Sequence, residues 1–428
     1  MNTTSRPASR VFHAVTHVWG RAYLDTFLQV CIPNQLAAGN APALPAGSRY
    51  RILTRADHLP ELDGHPMVHA LREVMPVDLV VVDALDRPDA RARSYDLMNA
   101  CHQRAMADAL EAGAALIMLS ADIVMSDHAL AAVVRRHREG YRAVVTTGLR
   151  LAKEPFLQSL DRAGARLSAL PSRDLVRMAL PHLHQQTRSM FVDAPAFSAF
   201  PSAVYWPVGG EGILARCFHL HPLMVDPVHA GPLGGTYDDH YLSAACPDFS
   251  RVHVITDSDE LQIFELTAAE QEFRTTRRAR ASAWQAAAVA SGCDALQLQY
   301  WSEQPVSIHA ADVGPAWSTP AAEAHAFAER VMRRRRYSGI ARPWLKWSGD
   351  VEKVRVRYAK LWHRQARRIR VERLRRWSER QVRTWERQWP RLRLKPVQRP
   401  VRVWFHRVTK AGKIGLKRLR RARVFPTG

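Results

Sequence analysis

Five short apolar runs rich in β-branched residues punctuate the first 150 residues: Arg10–Val18, Tyr50–Thr54, Val77–Ala84, Ala115–Leu119 and Ala143–Thr147. Longer stretches with helical spacing separate them: Tyr23–Leu36, Asp96–Glu111 closed by Gly113, and His128–Glu139 closed by Gly140. This alternation leaves few folds open, because strands separated by helices pair in parallel through crossover connections. The expected class is α/β, with a mostly parallel, Rossmann-like sheet flanked by helices. Between Asp78 and Asp83 each residue is apolar, which predicts a strand covered on both faces. Strand-like runs return at Phe197–Trp206 and Ile213–Val225, and 260–330 is Ala-rich and reads as mostly helical. The expected organisation is a body over 1–265, a helical extension over 266–330 and a basic helical tail over 331–428.

Composition narrows the class further. Hydrophobic residues make up 47% and charged residues 24%, which excludes wholesale disorder. Cys31, Cys101, Cys217, Cys246 and Cys293 show no paired spacing, so neither a disulfide framework nor a cysteine zinc site is expected. No run of 18 apolar residues predicts a membrane-spanning helix. The first residues lack the apolar core of a signal peptide. A reducing, cytoplasmic address is the expectation.

In an open parallel sheet, ligands bind beyond the carboxyl ends of the strands. The first run ends in Thr16, His17, Val18, Trp19 and Gly20, and the second in Thr54 and Asp57. The third ends in Asp83, and the fourth in Ser120 and Asp122. One rim therefore collects polar and aromatic groups. Asp57 and Asp83 suit a ribose or a base edge; a turn or helix cap is the plainer role for each. Asp127, just ahead of a helix, reads as its N-cap. Later, His219 and His221 alternate as on one face of a strand, either as metal donors or as satisfied edge histidines. Asp238 and Asp239 follow Gly234 and Gly235 and make either a mobile catalytic segment or a solvated acidic turn. Gly209, Gly210 and Gly212 read as a turn, with Glu211 a spare carboxylate there. No phosphate-binding Gly-rich loop, dinucleotide fingerprint or nucleophile elbow is present.

The order of these features resembles the GT-A-type glycosyltransferases, which use nucleotide-sugar donors. The resemblance covers a little over half the chain. It rests on Val15–Gly20, the Gly39–Pro42 loop, Leu119–Asp122 and Gly235–Leu242. It implies a GT-A-like body with a nucleotide-sugar held by Thr16, Val18, Trp19, Asp57, Asp83, Ser120 and Asp122. It also implies a divalent cation, Mn²⁺ or Mg²⁺, at Asp122, with His219 or His221 as a further ligand. Asp239, or else Asp238, would then be the catalytic base. Ser120 stands where that family places the first acid of its Asp-x-Asp motif. A hydroxyl is a weaker ligand than a carboxylate, so the motif is degenerate and a binding protein without catalysis is the alternative.

The net charge of +22 is unevenly spread. Residues 331–428 hold 33 of the 62 Lys and Arg but 5 of the 40 Asp and Glu, a net of +28. The same segment carries seven of the twelve tryptophans. Interleaved Trp and Arg suit an anionic membrane surface, with the protein peripheral at the inner face of the cell membrane. Nucleic acid, with Arg on phosphates and Trp stacked on bases, is the second reading. A solvated basic tail is the third.

Overall fold

The computed structural model describes residues 11–85, 96–230, 241–271 and 280–335, and each element and count below belongs to them. All fall in the first of two units into which the chain divides, Met1–Gly349. The first strands are β1 (Phe12–Val18), β2 (Arg49–Thr54), β3 (Val77–Val81), β4 (Ala115–Ser120) and β5 (Ile123–Met125). Then come β6 (Ala143–Thr146), β7 (Gly148–Ala152), β8 (Ala203–Val208), β9 (Gly212–Cys217) and β10 (His221–Val225). The last are β11 (Val252–Val254), β12 (Ile263–Thr267) and β13 (Val306–His309).

Seven strands form the main sheet in the order β11-β6-β10-β4-β1-β2-β3. All run parallel except β10, which enters antiparallel between β4 and β6. This is a mixed, mostly parallel, Rossmann-like α/β sheet. β4 is apolar along Ala115–Leu119 and β1 is buried along most of its length, with His13, Thr16 and His17 among its apolar residues. Alternation sorts β1 into two sides. Thr16 meets Tyr50 and Gln35 towards the helical stretch Arg21–Gln35, and His17 meets His102 on the helix Asp96–Ala112.

Three expectations are corrected here. First, β3 is an edge strand; its residues are half-buried or exposed, and Asp78 pairs with Arg49 at 2.7 Å. An apolar run alone does not distinguish an edge from a doubly covered centre. Second, Arg21–Gln35 is no uniform α-helix, because Phe27–Cys31 forms a π turn. Pro33 has no N–H to give the preceding turn, and the Ile32 N–H reaches back five residues to the Phe27 carbonyl. Third, Asp127 does not cap the next helix. His128, at φ 66°, occupies the N-cap of Ala129–Arg138. Asp127 instead accepts from the Gly39 and His128 amides at 3.1 and 2.8 Å.

The Gly39 contact is close. A Cβ on Gly39 would stand 2.4 Å from the His128 backbone, so only glycine fits. Beside it, the buried Asn34 holds the Met125 backbone through both amide atoms, and Asn40 accepts from the Leu130 amide. The Gly39–Pro42 loop is thus a clasp between the first helical stretch and the end of β5.

Two smaller sheets complete the unit, β5-β12-β7 and β13-β9-β8. A second core joins β8 and β9 to the helices Ala283–Ala290, Ala295–Glu303 and Ser318–Arg335. Ala283, Ala286, Ala287 and Ala290 let the helices approach closely, while Trp206, Phe327 and the stacked Phe218–Trp301 pair supply bulk. The segment 266–330 therefore shares its core with residues 197–218 and is not helical throughout, since β13 lies within it. All five cysteines are free. Among the described residues no helix is long and apolar enough to cross a membrane.

Candidate functional site

From β1 the chain continues to β2 and β3 on one side, whereas β4 lies on the other side of β1. The strand order therefore reverses between β1 and β4. At such a switch point the loops diverge and leave a crevice at the carboxyl ends. The register pairs His17 with Ser120. Two residues further on, Trp19 and Asp122 leave the sheet on these adjacent strands.

Asp122 is half-buried and accepts a hydrogen bond of 2.5 Å from the Ser120 hydroxyl. Its own backbone carbonyl accepts from the Leu266 amide, which fixes the turn to β12. Below the turn, the π turn brings the Cys31 thiol to the Ala121 carbonyl at 3.2 Å. Burial pushes the Cys31 thiol well up, the Asp122 carboxylate pushes it further, and Lys153 opposes both. Lys153 opens the helix after β7 and donates to the Thr26 hydroxyl at 3.2 Å. A carboxylate and a hydroxyl thus meet at the carboxyl end of β4, and the Lys153 ammonium, 3.8 Å from Glu154, acts on the Cys31 thiol beneath them.

On the β1 side, Trp19 is half-buried and tilts against His17, with centroids 5.4 Å apart. The His102 ring lies edge-on to His17 at 4.7 Å, and their nitrogens approach to 3.2 Å. Burial lowers His17 to about 4. It lowers His102 well below the ordinary value, with His17 and His221 adding to the effect. Both imidazoles are therefore neutral near pH 7. The Gly20 amide donates to His58 at 3.1 Å. Asp83 accepts from the Ala56 amide at 2.8 Å and so fastens the loop after β2 to the end of β3. Asp57 sits in that loop with its side chain 72% exposed.

The rim thus brings together Trp19, Asp57, Asp83, Ser120 and Asp122. Thr16 and Val18 stand apart from it. Thr16 is fully buried and shares a 2.6 Å hydrogen bond with Tyr50, and the buried Val18 presents only its carbonyl, which accepts from Thr54. Pleating turns these two side chains into the core, away from the strand end. His219 and His221 also separate. His219 precedes β10 and accepts from the Gln297 amide at 3.1 Å, whereas His221 opens β10 and donates to the Met118 carbonyl at 2.8 Å. They do not share a strand face. The Gly209–Gly212 segment is the β8–β9 hairpin turn, with Gly209 at φ 57°. Glu211 is exposed there and lines a cleft of about 260 Å³ with Arg177, Arg188 and Ala310. Asp238 and Asp239 lie outside the described residues, as do 336–428 of the basic tail.

A divalent cation fits this rim only in a reduced form. At the end of β4 Asp122 offers one carboxylate, enough for an ion held by one protein carboxylate and two substrate phosphates. Neither His219 nor His221 is placed to complete a set with it. A group whose donor atoms are close enough for one ion lies three strands along, at Asp257, Asp259 and His309. Sequence spacing does not reveal it, because some fifty residues separate His309 from the two acids. Lys153, His102 and Cys31 were equally unmarked; only the crossovers carry them to the rim. Comparison with known protein families and with curated proteins yields no match.

Proposed function

We propose that the chain is a GT-A-like glycosyltransferase that binds a nucleotide-sugar in the crevice between the ends of β1 and β4. The observation that carries this reading is the switch point itself. It is a rim with Trp19 on one strand end, the Ser120–Asp122 pair on the next, and neutral imidazoles behind. Trp19 offers a face for a base, and Asp57 an exposed carboxylate for ribose hydroxyls. Lys153, whose charge acts on the same Cys31 thiol as Asp122, would supply positive charge for a diphosphate. A divalent ion at Asp122 would neutralise the departing nucleoside diphosphate. Asp239, or Asp238, would take the proton of the acceptor hydroxyl as that oxygen attacks the sugar carbon. In this proposal the basic, Trp-rich 331–428 segment holds the enzyme against an anionic membrane at the inner face of the cell.

The second reading is a binding protein that holds the same donor without transfer. The Ser120 hydroxyl favours it, because it occupies one oxygen of the remaining carboxylate. A thermal-shift series on the full chain with UDP-, GDP-, CMP- and dTDP-sugars, with and without Mn²⁺, tests the site. Donor at a hundred times its dissociation constant adds about 2.7 kcal/mol, and Asp122→Asn should abolish that shift. No shift with any donor at millimolar concentration defeats both readings. A shift without release of the nucleoside diphosphate selects the binding protein. Co-sedimentation with anionic vesicles, against RNA at rising salt, decides the role of the tail.

A further inference from the structure

We propose that Asp257, Asp259 and the Nε2 atom of His309 form a site for a divalent transition-metal ion of the Zn²⁺ type. The ion would staple the end of β11, in the main sheet, to β13, in the third sheet. This site is independent of the crevice at Asp122.

The three donor atoms lie within 4.8 Å of one another. Residues 257 and 259 belong to the turn after β11, and His309 ends β13. Backbone contacts already align these elements. Asp257 bridges to Ser307, the Ser258 hydroxyl accepts from the His309 amide at 3.0 Å, and Asp259 donates its amide to the Asp257 carboxylate at 2.8 Å. The ligands are therefore held before any ion arrives.

The decisive group is His309. Its side chain is 2% exposed. Its Nδ1 lies 2.8 Å from the Ala311 carbonyl, which can only accept, so Nδ1 carries the proton. That is the arrangement by which metal-binding histidines are oriented, with one nitrogen donating to a carbonyl and the other aimed at the ion. Nε2 points at the Asp257 carboxylate, 2.8 Å away. Two electron-rich atoms face one another there unless a cation, a proton or a metal ion, stands with them.

Charge balance favours the metal. Arg173 spans Asp259 and Asp312 at 2.7 and 2.6 Å, while Asp257 lies against His309 and the Asp259 amide, so three carboxylates share one guanidinium. Two negative charges remain, and one dication cancels them. Arg173 need not leave, because a carboxylate has lone pairs for both a guanidinium and an ion. One imidazole with two carboxylates suits Zn²⁺ better than Mg²⁺, which prefers oxygen alone and keeps its waters. Asp257 and Asp259 are 52% and 40% exposed, so the ion has a path in and keeps open positions for water.

The test is calorimetric titration of the chelator-treated full chain with Zn²⁺ and with Mg²⁺, together with thermal melts. The expected result is a Zn²⁺ equivalent that the Asp257→Asn, Asp259→Asn double variant lacks, and that Asp122→Asn retains. Zn²⁺ should raise the melting temperature of the wild type and leave that of the double variant where it was. Melting of the two metal-free chains at the same temperature shows that the double variant is folded; if it is not, Asp257→Asn alone is compared with wild type in the same way. Equal Zn²⁺ uptake by wild type and variant overturns the proposal. So does a wild type that binds no Zn²⁺, or that binds Mg²⁺ as tightly.

Discussion

The β6–β10–β11 flank and the β1–β4 centre of one sheet handle buried polarity in opposite ways. On the flank, charges are matched. Arg142 and Asp226 form an ion pair at 3.2 Å that is 6% and 0% exposed, and each also bonds the other's backbone. Glu260 is held by His253 on β11 and by Arg136. At the centre, the buried polar groups are neutral: Thr16 with Tyr50 and Gln35, His17 with His102, and the Cys31 thiol. The buried charges of these strands are thus satisfied from within the protein, unlike the half-exposed carboxylates in the turn beyond β11. The centre instead presents uncharged donors and the half-buried Asp122 carboxylate towards the strand ends. That contrast, together with the switch point between β1 and β4, supports the proposed ligand site at the centre.

Breaking the flank should cost most. Arg142→Ala leaves the Asp226 carboxylate buried without its partner charge, and about 3–5 kcal/mol of stability should go, read as a lower urea midpoint. A loss below 1 kcal/mol would mean that the pair is well replaced by neighbours, and the contrast with the centre would weaken.

Glu260 gives a smaller, pH-dependent effect. Burial alone would raise its carboxyl, but hydrogen bonds from His253 and Arg136 overcome that and hold it down at about 2. Because the folded value is depressed, its contribution is present above about pH 4.5 and is lost as pH falls towards 2. Glu260→Gln should cost roughly 2–3 kcal/mol at pH 7, and the difference from wild type should vanish near pH 2. A gap that persists at low pH would point to packing as its cause.

The centre should show the same direction in a higher pH window, through a histidine. His17 is lowered to about 4 by burial, so the unfolded chain takes up its proton first on acidification. Stability should therefore fall as pH drops from about 6.5 towards 4, by about 2 kcal/mol at pH 5 relative to pH 8. In His17→Gln this portion of the pH slope should disappear, while the Glu260 portion remains. Equal slopes in the two proteins would place the protonation elsewhere.

Much of the scaffold was legible because periodicity reports it. The runs Arg10–Val18, Tyr50–Thr54, Ala115–Leu119 and Ala143–Thr147 hold strands, and the stretches Asp96–Glu111 and His128–Glu139 hold helices, each to within a residue or two. Position along a sheet was not legible, since β3 carries an interior-like run at an edge. Neither was β10, because nothing local says that a strand inserts antiparallel between β4 and β6. At the site, strand ends could be read but side-chain direction could not. Thr16 and Trp19 are three residues apart; one is locked in the core and the other stands at the rim. The pairing of His219 and His221 failed because β10 begins only at His221. Asp257, Asp259 and His309 were missed because tertiary contact alone unites them.

The placement of the large aromatics has a spectroscopic consequence. The fully buried tryptophans, Trp206 and Trp301, both belong to the second core, and Trp301 lies flat on Phe218 at 4.0 Å. The main sheet's core has Trp19 only at its margin. In the near ultraviolet the two cores of this unit are therefore differently coloured. A tryptophan layer reports rigid packing of 197–218 against 283–331, while the main core reports through tyrosine and phenylalanine, Tyr50, Tyr205 and Phe264 among them. The part of the near-ultraviolet dichroic signal that is lost in Trp206→Phe and Trp301→Phe would time the melting of the second core, and the emission lost in Trp19→Phe would follow the rim of the first.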